Sequence, residues 1–293
     1  EVPHDSILVL APTGEVVDQR SFVDPLTRVL DPEAMKAESR LQDLIDAVNR
    51  AAVDQKISGM LIRQDELGYI SMSSTMELGE AIQSFKASGK KVIATGDHFS
   101  QQSYLLASYA DEVYLHPMGA IILQGLGAYP TYFKDALEKL GVDVHVFRVG
   151  EYKSAVEPFM RNDMSMLTRQ NTLQWLSTLW ESYTERLVKN RDLEVTAISN
   201  YVNNFDLALQ NVQGNAAHAA LNLGLVDHLN SREEMLNAAM SMTSHNEPED
   251  ALIDYLDYLD AVNGMPSAPA ADKVAVVVAA GVIVDGEQPP GVT

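Results

Sequence analysis

Short apolar runs alternate with amphipathic stretches through the first half of this chain, and that alternation most constrains its fold. Ile7–Leu10, bounded by Pro12 and Gly14, reads as a buried strand and turn. Leu41, Leu44, Ile45, Val48, Ala51 and Ala52 recur at helical spacing and predict an amphipathic helix over about 38–54. Ile57–Ile62 (ISGMLI) is the next strand, Met76–Ala87 the next helix, stopped by Gly89, and Val92–Ala94 starts a further strand. Gln101–Ala110 predicts helix, Val113–Leu115 extended chain, and Tyr132–Leu140 a helix closed by Gly141. Parallel strands need long crossovers, usually helical, so this order predicts βαβ units, an α/β class and largely parallel pairing. Further on, Leu173–Asn190 and Val195–Tyr201 form a long helical section with Trp175 and Trp180. Asn215–Leu223 predicts a helix ending at Gly224, ahead of Leu225-Val226-Asp227.

The first apolar strand returns near the end of the sequence. Ile7–Asp18 (ILVLAPTGEVVD) aligns without gaps with Val274–Asp285 (VAVVVAAGVIVD), glycine and aspartate in register. Such a register points to a duplicated domain whose second copy starts at residue 274, with the chain reading as truncated early in it. Residues 244–273 carry Glu247, Glu249 and Asp250, then the small-residue stretch Gly264–Ala270, the best linker candidate. Leu252, Leu256 and Leu259 match a short docked helix within it. The expected organisation is a domain over 1–243, a linker over 244–273 and the first strand of a second domain over 274–293.

The formal charge of −20, from 41 acidic against 21 basic residues, argues against nucleic acid or an anionic membrane as an electrostatic partner. With no cysteine, disulfides, thiolate catalysis and cysteine-based metal sites are excluded. No run approaches the roughly 18–20 apolar residues that span a bilayer. His116, His145, His218 and His228 show no metal-binding spacing, and Gly125-Leu126-Gly127 lacks the third glycine of a dinucleotide loop. No cofactor or metal is expected.

Lys153 has the least ordinary setting. It follows a strand-like run, Val142–Val149, and a strand-breaking Gly150, and stands among Tyr152, Ala155, Val156 and Phe159. Desolvation disfavours an ammonium and lets a lysine accept a proton near neutral pH, as the base for a serine nucleophile requires. The same pattern also fits a solvated surface lysine.

The segment RVGEYKSAVEPFMRNDMS (148–165), with the strand motifs at both ends of the chain, closely resembles the signal peptide peptidase A family in its long bacterial form. The resemblance implies a Clp-protease/crotonase-like ββα spiral and assigns Lys153 as general base of a Ser/Lys dyad. It places the nucleophilic serine and the glycine-rich oxyanion backbone in the second copy, beyond Thr293. It further implies signal peptides as substrates, the rest of the C-terminal domain as partner, and a homotetramer. The expected location is the periplasmic face of a bacterial inner membrane, reached through an anchor preceding Glu1.

Aligned on Tyr104 and Pro117, the segment GDHFSQQSY (96–104) occupies the nucleophile's place in the first copy and puts Gln101 there. An amide cannot attack a carbonyl as an alkoxide does. Ser100 and Ser103 are displaced neighbours at a helix start. Asp97 and His98 beside them raise a Ser-His-Asp arrangement, weighed against a capped helix start. Gln64-Asp65-Glu66-Leu67-Gly68-Tyr69 stands where an oxyanion-binding glycine pair would, and its two carboxylates oppose a developing oxyanion. Ser154 adjoins Lys153 but points away from it. Met160, Met164, Met166, Trp175 and Trp180 read as core or subunit contacts. Three functions result: a peptidase chain lacking its own nucleophile, a non-catalytic peptide-binding or assembly scaffold, and a crotonase-type acyl-CoA enzyme, disfavoured by the missing glycines.

Overall fold

An all-parallel sheet must be covered on both faces, and the central strands here are mostly apolar, as in SILVL (6–10) and ISGMLIR (57–63). The computed structural model describes residues 1–21, 37–147, 149–150, 153–263 and 286. Its strands are β1 Ser6–Leu10, β2 Gly14–Val17, β3 Glu38–Arg40, β4 Ile57–Arg63, β5 Leu67–Tyr69, β6 Lys91–Gly96, β7 Phe99–Ser100, β8 Glu112–Leu115, β9 Ile121–Ile122, β10 His228–Leu229 and β11 Leu252–Asp254. Six of them form one sheet in the order β10-β8-β6-β4-β1-β11, parallel at every pairing. A second parallel sheet runs β3-β2-β5, and β7 pairs with β9, again parallel. The expected α/β class with parallel pairing is what the structure has.

Two compact units make up the chain: Glu1–Ile122 with Asp206–Thr293, and Leu123–Phe205. All the described strands lie in the first unit. On one face of its large sheet, Ile7, Val9, Leu61, Ile93 and Tyr114 form a buried row under Met235 and Ala239 of the helix Arg232–Met240. Side chains alternate along a strand, so Leu8, Leu10, Met60, Ile62, Val92, Ala94, Val113 and Leu115 point to the other face, all fully buried. The crossover helices Leu41–Val53 and Met72–Ala87 bring Leu44, Val48, Ala51, Leu78, Ile82 and Phe85 to the core, also fully buried. Each such large apolar side chain contributes about 1.5–3 kcal/mol on burial.

Gly14 shows why the repeated motif keeps its glycine. Its φ is +64°, and a Cβ there would lie 1.8 Å from the Ala37 carbonyl oxygen. Only glycine lets the chain turn from β1 into β2 at this point. The matching strand at 274–278, with Gly281, lies outside the described residues.

Helix starts follow their caps. Ser71, Ser165 and Asn215 accept from the backbone N–H three residues on, and Ser231 forms a capping box with Glu234. The Gly224-Leu225-Val226-Asp227 segment has a clear structural use. Leu225 and Val226 are buried, the Tyr104 hydroxyl donates to the Leu225 carbonyl at 2.6 Å, and the Asp227 carboxylate accepts from Val113 N–H at 2.7 Å.

Two expectations are corrected. The run Val142–Val149 is not a strand among its described residues, and Val142, Val144, Phe147 and Val149 are exposed. Alternating polarity suits a strand, but a strand also needs a partner, and no described strand pairs with this run. The linker over 244–273 is likewise too wide. Pro248–Ala251 and Tyr255–Asn263 are helices, and β11 between them adds to the free edge of β1, pairing Ile7 with Leu252 and Val9 with Asp254. Only 264–273 of that span lies outside the described residues.

If 248–263 belongs to the core, its buried tyrosine must matter to stability. Tyr258 is 1% exposed and donates its hydroxyl to Asp54 at 3.1 Å. Tyr258→Ala is expected to cost about 3–5 kcal/mol, and Tyr258→Phe about 1 kcal/mol, read as urea midpoints. A linker tyrosine would leave both midpoints unchanged.

Candidate active site

In a parallel sheet the loops at the carboxyl ends of the strands carry the chemistry. Here those loops hold Gly96–Ser100 after β6 and Gln64–Leu67 after β4. A cavity of about 310 Å³ opens at this end, lined by Arg63, Asp65, Thr95, Asp97, Arg232 and Leu252 among others. Its charges are partly matched. Arg232 donates from Nε to both Asp97 oxygens, at 3.0 and 3.1 Å, and again from its terminal nitrogen. Hydrogen bonding from Arg232 is the largest influence on Asp97 and lowers its pKa, outweighing burial.

That pairing removes Asp97 from any Ser-His-Asp arrangement, and His98 beside it is exposed. Ser100 and Ser103 are held in a reciprocal capping box at the start of the helix Gln101–Ala107. Ser100 N–H donates to the Ser103 hydroxyl at 2.8 Å, and Ser103 N–H to the Ser100 hydroxyl at 3.2 Å. The capped-helix reading of these two serines is the one the structure bears out. Gln101 opens the helix behind them. In the segment after β4, Leu67–Tyr69 is β5 of the small sheet, the Glu66 carbonyl accepts from Gly14 N–H at 2.8 Å, and Asp65 and Glu66 are exposed. Leu67 and Tyr69 are committed to sheet pairing with β2.

Lys153 lies in the other unit and is exposed, as is Ala155; Phe159 is 45% exposed. Tyr152 falls outside the described residues. Among the described residues, Ala155 and Phe159 are exposed and Val156 is half-buried, so these three neighbours do not bury the lysine. A Cβ built on Gly150, at φ +108°, would lie 3.8–3.9 Å from the Lys153 stem carbons, so the stem passes close over that glycine.

Behind the lysine the chain is firmly held. Ser154 carbonyl accepts from Glu157 N–H at 2.9 Å, Pro158 carbonyl accepts from Phe133 N–H at 2.7 Å, and the Phe133 and Phe159 rings stack at 6.2 Å. Glu157 is 7% exposed. Its carboxylate accepts from the Ser165 hydroxyl at 2.5 Å, Ser165 N–H at 3.2 Å and the Thr168 hydroxyl at 2.9 Å. Burial alone would raise the Glu157 pKa, but these hydrogen bonds outweigh it and the net shift is downward. Sequence reading missed this carboxylate; the Ser165-x-x-Thr168 cap of the following helix was the available signal.

The same unit is rich in uncovered apolar surface. Met160, Met166 and Trp175 are 46, 89 and 45% exposed, so these are not core residues of the chain. Leu173, Leu176 and Trp180 of the helix Met166–Arg191, with Val202 and the loop Gln124–Leu126, line a groove of about 310 Å³.

The fold and its loops define an α/β protein with its chemistry-bearing segments at the carboxyl ends of a parallel sheet and on a separate lysine-bearing unit. The chain belongs to peptidase family S49, whose profile matches residues 84–245, a span that includes Gln101 and Lys153. It is 35% identical over 87% of its length to Protease 4 of Salmonella typhi, and 34% identical over 97% to Protease 4 of Haemophilus influenzae. It spans 41% and 47% of those relatives' own lengths. The chloroplastic serine protease SPPA of Arabidopsis thaliana is 23% identical over 56% of the chain, which spans 24% of that protein. Among solved structures, a membrane-bound stomatin-specific protease is similar at TM-score 0.44 and 10% identity, covering 86% of this chain and 97% of that one. An enoyl-CoA hydratase/isomerase family member is similar at 0.39 and 12%, covering 76% and 72%. The family follows from the sequence match, and the fold from the sheet topology.

Two outcomes follow from the first-copy loops. Ser100→Ala and Ser103→Ala are each expected to cost about 1 kcal/mol as lost caps, and a fluorophosphonate probe is expected to label neither serine. Labelling mapped to either would restore it as a nucleophile. The Asp97 pKa is depressed by folding, so the pair's contribution is present above the unfolded value of about 3.9 and lost as pH falls through the lower folded value. Arg232→Gln should lower the denaturation midpoint more at neutral pH than at about pH 3, below the unfolded carboxylate value, where part of the pair's contribution is already lost. An equal effect at both pH values would mean that Arg232 acts by packing.

Proposed function

We propose that this chain supplies the general base of a Ser/Lys-dyad endopeptidase, with Lys153 as that base and the nucleophilic serine contributed by a second copy of the domain. The observation that carries the reading is Lys153 itself: an exposed residue on a hydrogen-bonded turn, inside the family match. The two capped serines and Gln101 support a first copy without its own nucleophile.

The chemistry is a proton relay. As the serine oxygen bonds to the peptide carbonyl carbon, its proton passes to the neutral Lys153 amine and the carbonyl electron pair moves onto oxygen. The resulting ammonium then protonates the departing amine, and water repeats the sequence to release the acyl group. A lysine serves here only if its ammonium is disfavoured, so the partner domain must cover the amine and exclude water. The substrates are apolar peptides, signal peptides left after secretion by the family resemblance, and the assembly is a homotetramer at the periplasmic face of a bacterial inner membrane. Among the described residues no helix is long and apolar enough to cross a membrane, and the anchor belongs to the resemblance. The second reading, a peptide-binding scaffold, draws on the exposed apolar groove of the lysine-bearing unit.

The test is turnover of a fluorogenic apolar peptide by the chain extended through its second copy. Activity should rise with pH and level off below about pH 10, where an ordinary lysine is still largely protonated. Lys153→Ala should lower turnover by about 10²–10⁴-fold with folding and assembly intact. The 293-residue chain alone should turn over no substrate. Near-normal turnover by folded Lys153→Ala protein would favour the scaffold reading.

A further inference from the structure

A buried carboxylate is costly unless each of its oxygens is satisfied, and Glu157 is buried with both oxygens hydrogen-bonded. Among the described residues its hydrogen-bond donors belong to Ser165 and Thr168 at the start of the helix Met166–Arg191. Ser165 is that helix's N-cap, accepting from Thr168 N–H at 3.2 Å. The helix spans 26 residues, and its N-terminus favours negative charge. Glu157 thus docks a separate chain segment onto a helix end that already carries its own cap. The docked segment is the one that bears Lys153, four residues earlier, and the Ser154–Glu157 turn joins the two rigidly.

We propose that Glu157 is the positioning residue for Lys153: its carboxylate clamps the lysine-bearing turn to the N-terminus of the long helix and so fixes where the amine is presented. The inference rests on the reading of Lys153 as the general base. A lysine side chain has a long, flexible stem, so a proton acceptor built on one is only as well placed as its backbone. The Phe133–Phe159 stack and the Pro158 carbonyl brace the turn from the other side, but they lie beyond Glu157 in the chain. The carboxylate is the anchor nearest the lysine that ties it to a long element. Glutamine at this position keeps the size but loses the charge and presents N–H groups toward two hydroxyl donors.

The test uses the extended chain and three variants: Lys153→Ala, Glu157→Gln, and the donor-side pair Ser165→Ala with Thr168→Val, which leaves the carboxylate in place. Misplacing a catalytic group by about 1 Å costs about a hundredfold in rate. Glu157→Gln and the donor-side pair should therefore each lower kcat by about 10–100-fold with KM within about twofold, and displace the rising limb of the pH–rate profile. Backbone amides of 153–160 should exchange faster in the donor-side pair. A kcat within about twofold of the parent in both, with Lys153→Ala inactive, would overturn the clamp and leave the base assignment standing. A loss confined to KM, or unchanged exchange over 153–160, would overturn it as well. Full activity of Lys153→Ala would instead remove the base assignment, and the clamp's role with it. If Glu157→Gln fails to fold, the donor-side pair decides between the same outcomes.

Discussion

The position of β1 between β4 and β11 is the constraint on which the rest of the first unit depends. Every residue from Ser6 to Leu10 is buried, and a buried backbone must find partners on both sides. One side is satisfied by β4, which directly follows the helix Leu41–Val53; the other by β11, which arrives after every other described strand. Because all pairings are parallel, each connection must return to the same end of the sheet before the next strand begins. The loops at the opposite, carboxyl end therefore gather from distant parts of the sequence. Asp97 meets Arg232 across 135 positions for this reason, and Ile7 meets Leu252.

Much of this was legible in the sequence because hydrophobic periodicity reports burial directly. The stretch 41–53 repeats at helical spacing since one face meets the sheet, and ISGMLI is apolar at all but Ser58 since both of its faces are covered. What the pattern cannot report is pairing. Val142–Val149 alternates well enough for a strand, yet no described strand supplies the hydrogen bonds, so its apolar side chains stay exposed. Leu252–Asp254 fails in the opposite sense. Leu252 matches helical spacing with Leu256 and Leu259, and only the unpaired edge of β1 makes these three residues, between two helices, a strand.

The candidate site was legible to an unequal degree for a related reason. Ser100 and Ser103 read correctly as caps because a capping box is local, made from residues three apart. Lys153 stood out through the long segment it shares with a family, not through its own surroundings; of the apolar neighbours expected to enclose it, Ala155 and Phe159 are exposed among the described residues. Glu157 was invisible. A glutamate beside a proline looks like any surface turn until its partners eight and eleven residues later are seen to be the first turn of a helix.

The exposure of Lys153 bears on how such an enzyme would be controlled. A lysine that desolvates itself within its own fold is a base at all times. One that stands at a surface becomes a base only when another surface covers it, because water favours the charged form. On the proposed reading, covering the amine and delivering the serine are then one event, performed by the same partner domain. The lysine-bearing unit is suited to be covered: Leu173, Trp175, Leu179 and Met166 leave large apolar side chains in solvent, and exposed apolar patches of this kind mark contact surfaces. Burying them would drive the docking, and docking would supply the low-dielectric surroundings in which the amine loses its proton. On that reading the free energy that assembles the particle would also shift the lysine toward its reactive form, because the contact that buries the apolar surface is the one that excludes water from the amine.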